Sequence, residues 1–181
     1  MNRSLFIIAG MLLFTATAQA AVADSSPGGF TIKIVVNAQG APADVYRKFV
    51  HDIGNWWEPI HTYSHDAHNL SIDDKPMGCW CEKLPDGGGV QHMETIFAMP
   101  GKLIRFSGAI GPMQAMAAVG SMSVEFKPVE GGTAVELTYA LGGYSPQGFD
   151  KIAPIIDMVL TTQITRFKNY VDHGNPAPPA K

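Results

Sequence analysis

The stretch from residue 145 to residue 174 constrains the fold more than any other part of this 181-residue chain. Its apolar side chains recur mostly every three or four positions, which places them on one stripe of a helix. Pro154 is tolerated only in the first turn of a helix, whereas Gly174 is a typical stop signal. These signals predict a short turn over 146–151 and a helix over 153–173. A helix of that length, about 30 Å, needs a large apolar partner, which the rest of the chain must supply.

Composition favours a single globular domain. The chain is 46% hydrophobic and 16% charged, which is typical of a folded protein and not of a disordered one. The formal net charge is −3, whereas general nucleic-acid binders carry a basic patch. We therefore expect no nucleic-acid partner.

The first residues have the pattern of a secretory signal peptide. Arg3 gives a positive start, and residues 5–14 form an apolar run that is too short for a stable membrane anchor. Small residues then lead to expected cleavage after Ala20 or after Ala23. We therefore predict a periplasmic or secreted protein with no stable membrane anchor after signal cleavage. The predicted parts of the chain are a signal peptide over 1–20, a linker over 21–29, the domain over 30–174 and a disordered tail over 175–181.

The middle of the chain predicts helices followed by an antiparallel sheet. Residues 30–36 alternate and are rich in β-branched side chains, so they predict a strand. A helix begins near Pro42 and ends at Gly54, and Trp56 and Trp57 follow it. Tight turns then separate further short strands, which favours an antiparallel meander with the helices on one face. The further strands are predicted at about 69–72, 78–84, 90–99, 102–107, 121–128 and 133–141.

Several local motifs fit a known family. They are APADVY at 41–46, the pair Trp56-Trp57, MPGKLIRF at 99–106 and GGTAVELTY at 131–139. With them, the chain from about residue 30 to 173 resembles the SRPBCC superfamily, also called START-like. Within it, the chain looks most like bacterial proteins related to the heat-shock ATPase activator homologues and to polyketide cyclase-like proteins.

The resemblance implies an α+β helix-grip fold, in which a curved antiparallel sheet wraps around a long C-terminal α-helix. It also implies a deep apolar cavity between sheet and helix that binds a hydrophobic small molecule or lipid. The superfamily includes lipid carriers, cyclases and cochaperones, so the fold alone does not select one activity. We predict no cofactor and no metal. The residues predicted to bind the ligand are Trp56, Trp57, His61, Cys79, Cys81, His92, Glu94, Met113, Met116, Ile156 and Leu160.

Residues 108–120 form a segment without charged side chains. Met113 and Met116 lie in it among glycine and alanine, and an exposed loop is rarely this apolar. Methionine adapts its shape to varied ligands. Two interpretations stay open: a lid over the cavity mouth, or a piece that caps the core.

Cys79 and Cys81 are two residues apart on a predicted strand, so both thiols face the same side. A turn centred on residues 86–87 places Cys81 opposite His92 and Cys79 opposite Glu94. That set has the chemistry of a soft-metal or redox site, but a one-residue slip in register removes it. Two further interpretations are small thiols that line the cavity and a disulfide, which is awkward because same-face neighbours lie near the upper limit of bridging distance.

Two other patterns carry possible chemistry. His61, His65 and His68 lie close together, and their spacing in a loop favours solvated side chains, with His61 near the cavity mouth. The alternative to a binding protein is an enzyme of the cyclase or dehydratase kind. In it, His92 or Glu94 serves as acid or base inside the cavity.

Overall fold

In a computed structural model that describes residues 19–178, the chain forms one antiparallel sheet of eight strands and three α-helices. The strands are β1 (Gln19–Ser26), β2 (Gly29–Ala38), β3 (Leu70–Ile72), β4 (Gly78–Lys83), β5 (Gly89–Met99), β6 (Leu103–Ser107), β7 (Ala117–Val129) and β8 (Gly132–Tyr144). The helices are α1 (Pro42–His51), α2 (Ile53–Trp56) and α3 (Ala153–His173). Short 3-10 turns occur at Pro59–His61, Ala67–Asn69, Pro85–Gly87, Gly111–Ala115 and Phe149–Lys151.

The sheet is a meander in the order β1-β2-β8-β7-β6-β5-β4-β3. Strands that follow each other in the chain are neighbours in the sheet, with one exception: β2 is followed by β3 in the chain but pairs with the last strand, β8. The connection from β2 to β3 must therefore cross to the far edge of the sheet, and it carries α1 and α2. Phe49 of α1 contacts both Phe126 of β7 and Phe167 of α3, with ring centroids 5.7 and 5.2 Å apart. The helices thus pack on one face of the sheet and on each other.

The long C-terminal helix has the bounds that the sequence predicts. Pro154 lies in its first turn, and Gly174 ends it with a left-handed backbone, φ 71°, which glycine adopts without steric cost. Leu160 and Phe167 are buried against the sheet side. Ile155 departs from the predicted stripe, since 57% of it is exposed in the first turn. The α+β helix-grip fold is confirmed.

The linker predicted over 21–29 is wrong for most of its length, because residues up to Ser26 form β1. Small and polar side chains suggested irregular chain, but an edge strand takes its hydrogen bonds from its neighbour and needs few apolar side chains. Here β2 supplies those bonds, and Val22 pairs with Ile32 and packs on the core. The composition of β1 therefore does not indicate a strand.

The signal peptide predicted over 1–20 falls almost wholly on residues outside the described range, as does the end of the predicted tail, so both stay predictions. Within residues 19–178, no helix is long and apolar enough to cross a bilayer.

Candidate functional site

A cavity of about 380 Å³ lies between the first turns of α3 and the sheet. Volumes of this size are typical of small-molecule sites. Four structural parts form its wall, and most of its lining residues are apolar. They are Ile155, Ile156, Val159 and Leu160 of α3; Trp80 of β4 and His92 of β5; Trp57, Ile60, His61, Thr62, Tyr63 and Leu70 before and at β3; and Ile110, Gly111 and Pro112 after β6.

The loop over 57–64, at the mouth of the cavity, is the mouth loop, and hydrogen bonds hold it to itself and to α3. The indole N–H of Trp57 donates to the carbonyl of His61 at 3.0 Å, and the Thr62 hydroxyl donates to the carbonyl of Pro59 at 2.7 Å. The backbone N–H of Glu58 donates to the side chain of Gln163 on α3 at 2.8 Å. These bonds attach the loop to itself and to α3.

His92 reaches the cavity because of a β-bulge. Trp80 pairs with Met93, but the next residue of β4, Cys81, pairs with Gln91, so His92 is an extra residue in β5. Regular alternation would turn His92 outward when Met93 faces inward. The bulge turns both inward, and only 6% of His92 is exposed. Bulges commonly re-aim a side chain beside a functional site.

The imidazole of His92 forms a buried pair with a carboxylate. Its Nε2 lies 2.9 Å from Oε2 of Glu82 on β4, and Glu82 is 1% exposed. The same carboxylate accepts the backbone N–H groups of Tyr63 and Ser64 at 3.1 and 2.5 Å. Glu82 therefore joins the mouth loop, β4 and the imidazole at one point.

The charge states of the pair follow from these contacts. Burial alone would raise the pKa of Glu82, but hydrogen bonds from Ser64, Tyr63 and His92 outweigh burial, so that pKa lies below its ordinary value of 4.5. Burial lowers the pKa of His92 below 6.5, and the hydrogen bond and charge of Glu82 oppose this only in part. At neutral pH Glu82 is ionised and His92 is neutral.

This charge state defines the tautomer. An ionised carboxylate only accepts hydrogen bonds, so Nε2 of His92 carries the proton and donates it to Glu82. Nδ1 keeps its lone pair, and within residues 19–178 no group donates a hydrogen bond to it. Tyr63 stacks over the imidazole at the rim, with ring centroids 6.0 Å apart and planes 26° apart. The arrangement is a polar acceptor in an apolar wall.

Five of the residues predicted from the sequence lie in this wall: Trp57, His61, His92, Ile156 and Leu160. Trp56 does not, although it is adjacent to Trp57. Its ring is wholly buried and lies 5.1 Å from both Phe49 and Phe167. Trp56 fastens α2 to α1 and α3, so its predicted contact with a ligand is not supported by its position.

The cysteines and Glu94 lie on the other face of the sheet. In β4, Trp80 and Glu82 face the core, so Cys79 and Cys81 face outward, half-buried. Cys79 pairs with Glu94 as predicted, but Cys81 pairs with Gln91 because of the bulge. The predicted set of two thiols, His92 and Glu94 is therefore divided between two faces. Within residues 19–178, no cluster of three or more His, Cys, Asp or Glu side chains is arranged to hold a metal.

Cys79 and Cys81 form a disulfide instead of lining the cavity as thiols. In a regular strand their Cα atoms would be about 6.6–6.8 Å apart, near the bridging limit. They are 5.2 Å apart here, directly across from the bulge in β5. The local bend of the paired strands accounts for the bond that regular strand geometry disfavours.

The segment over 108–120 contributes more residues to the core than to the cavity wall. Met113 is buried and Met116 packs on the core, so neither lines the cavity. Gly108 and Gly120 hydrogen-bond each other through both backbone pairs, which closes the segment at its base. Only Ile110 and the two residues after it reach the cavity wall.

Glu82 is the functional residue that sequence reasoning missed. The sequence did contain a signal for Glu82. Glu82 is two residues after Trp80 on the same strand, so both side chains face the core. A charged residue at an inward position requires a partner, and that partner is His92.

Solved structures share this fold at low sequence identity. A conserved protein of unknown function from Enterococcus faecalis gives a TM-score of 0.57 at 16% identity, covering 91% of this chain and 81% of that chain. The Aha1 dimer from Colwellia psychrerythraea gives 0.57 at 16%, covering 80% and 97%. CalU16 from Micromonospora echinospora gives 0.54 at 13%, covering 90% and 88%. No protein-family model matches the sequence, and no curated protein matches it. The similarity is therefore one of fold alone.

Proposed function

We propose that this chain binds a hydrophobic small molecule or lipid in the cavity between α3 and the sheet. The observation that carries the proposal is the mainly apolar cavity of about 380 Å³. Water in such a space makes few hydrogen bonds, so an apolar ligand that displaces it gains the burial of its own surface. The START-like fold supports the same function.

Filling the cavity tests this proposal. Ile156 lines the cavity, whereas Met158 is exposed on another side of α3. We expect Ile156→Trp to weaken binding of 1-methylnaphthalene at least about tenfold, since the indole occupies space that the probe needs. Met158→Trp adds the same side chain outside the cavity and serves as the control. Calorimetry or quenching of tryptophan fluorescence measures both. A wild-type protein that does not bind the probe, or equal binding by both variants, would contradict the proposal.

A second candidate is an enzyme of the cyclase or dehydratase kind. The specific observation in its favour is the buried pair of His92 and Glu82, because a carboxylate that orients an imidazole is a common arrangement for general base catalysis. The carboxylate beside the imidazole is that of Glu82. Glu94, which the sequence offered as an acid or base in the cavity, faces the other side of the sheet. This candidate requires that a bound molecule changes mass or isomer on the protein, whereas a carrier releases it unchanged.

We also propose that the chain is exported and cleaved after Ala20. Cleavage after Ala23 would remove Val22, which packs on the core from β1, so the earlier site is expected. The disulfide between Cys79 and Cys81 supports export, since such bonds persist in oxidising compartments. Intact-mass analysis of protein from the periplasm or medium should show a chain that begins at Ala21 and contains no free thiol. A chain that keeps Met1, or two free thiols, would contradict the proposal.

A further inference from the structure

We infer that the ligand is a neutral apolar molecule with a hydroxyl group, an alcohol or a phenol, which donates its hydrogen bond to Nδ1 of His92. The inference rests on the proposed binding function and names the chemical class of its ligand. It follows from which polar groups in the wall already have hydrogen-bond partners and which do not.

Most polar groups in the wall already have partners. The indole N–H of Trp57 donates to a backbone carbonyl, and so does the hydroxyl of Thr62. His61 lies at the rim, where its Nε2 is 3.6 Å from the carboxylate of Glu58. In the buried part of the wall, two polar groups remain. The indole N–H of Trp80 has no hydrogen-bond partner among the described residues, and the imidazole of His92 is held by Glu82 through Nε2 alone. The acceptor of the two is Nδ1 of His92.

The bulge in β5 adds a polar side chain, that of His92, to an apolar wall. The extra residue in β5 places an imidazole where regular alternation would have placed no side chain of that strand. The buried carboxylate of Glu82 then orients that imidazole through Nε2, and Gln114 donates to the backbone carbonyl of His92 at 3.2 Å. These two contacts hold the backbone and the ring of His92, and so fix the direction of its acceptor. A donor on the ligand that faces Nδ1 gives that buried acceptor a partner.

Charge excludes the common anionic ligands. The wall contains no lysine or arginine among its described lining residues. An ionised Glu82 lies directly behind the imidazole. A carboxylate or phosphate group placed at Nδ1 would therefore meet a lone pair and a nearby negative charge, without a compensating cation. Fatty acids and phospholipid headgroups are disfavoured relative to alcohols and phenols.

Three probes of similar size and shape separate these possibilities. They are 1-methylnaphthalene, 1-naphthol and 1-naphthoate, which present a methyl group, a hydroxyl group and a carboxylate on the same ring system. We compare their dissociation constants in the wild-type protein and in His92→Phe, which keeps an aromatic ring against Tyr63 but has no acceptor. The ratio of 1-naphthol to 1-methylnaphthalene affinity should be about tenfold larger in the wild type than in the variant. 1-Naphthoate should bind more weakly than 1-naphthol.

A measurement on the wild-type protein keeps the test valid if His92→Phe does not fold. The ¹⁵N resonance of Nδ1 of His92 should shift on titration with 1-naphthol and remain in place with 1-methylnaphthalene. Equal affinity ratios in the two proteins, an unchanged Nδ1 resonance, or a preference for 1-naphthoate would overturn the inference while the binding function stands. Failure of all three probes to bind would overturn the proposed function and the inference with it.

Discussion

Glu82→Ala is expected to destabilise the fold by about 3–5 kcal/mol, the usual range for breaking a buried pair by removing one partner, because His92 and two part-buried donors lose their acceptor. These donors are the backbone N–H groups of Tyr63 and Ser64 and the imidazole of His92. The mouth loop loses its attachment to β4 in the same step. Urea denaturation followed by near-UV circular dichroism measures the free energy of unfolding.

Glu58→Ala is the matched control at the same mouth. Its side chain is 32% exposed and lies 4.0 Å from Arg166 and 3.6 Å from His61. A partly solvated pair of this kind contributes about 0–1 kcal/mol. Equal losses of stability in the two variants would show that Glu82 is not the buried junction that its contacts indicate.

The pH dependence of stability provides an independent check on Glu82 and His92. The folded-state pKa of His92 is depressed, so below its ordinary value of 6.5 the unfolded chain binds a proton more readily than the folded chain. The depressed pKa of Glu82 adds a contribution that is present above 4.5 and is lost as the pH falls through the folded-state value. Both effects lower the free energy of unfolding on acidification, first through His92 and then through Glu82. Glu82→Ala should lose the contribution that falls below pH 4.5. It should keep the dependence through His92, whose pKa falls further once the carboxylate that raised it is removed.

Trp56→Ala is expected to cost about 3–5 kcal/mol of stability, the usual range for removing a large buried aromatic side chain. Trp56 is wholly buried among Phe49, Trp57 and Phe167. Its indole Nε1 has no hydrogen-bond partner among the described residues. Trp56→Phe, the control, should therefore cost much less, since it keeps most of the ring contact and removes a buried donor without an acceptor. Thermal denaturation measures both.

The two tryptophans should differ in function. The folded fraction of Trp56→Phe should bind 1-methylnaphthalene as the wild type does, because Trp56 lies behind the wall. Trp57→Ala should weaken that binding, because Trp57 is part of the wall. Loss of binding in Trp56→Phe with full retention in Trp57→Ala would reverse the assignment made from the structure.

The long helix and the order of the strands were predictable because their signals are local. Pro154 and Gly174 mark the ends of α3 through backbone restrictions that act within one turn. Alternation and turn residues mark the strands after residue 69 in the same way. The edge strand β1 has no such signal, because its small and polar residues resemble a linker and its hydrogen-bond partners come from β2.

The cavity wall was predictable only in part, because it depends on strand register. Counting back from a turn centred on residues 86–87 gives the correct pairing of Cys79 with Glu94. The same count fails for Cys81, because the pairing beside the turn is centred on Asp86, and only the bulge beyond Cys81 shifts the register to the one that was assumed. Nothing in the letters QHME distinguishes a bulged strand from a regular one. The orientation of His92, and with it the identity of its partner, could only come from three-dimensional pairing.

The bulge in β5 also couples the length of one strand to the polarity of the cavity wall. One extra residue places an imidazole among apolar side chains, while the pairing on either side of it continues. Deleting His92 would restore one-to-one pairing, but it would also leave the buried carboxylate of Glu82 without that partner. A change of length in this hairpin therefore requires a compensating change at Glu82.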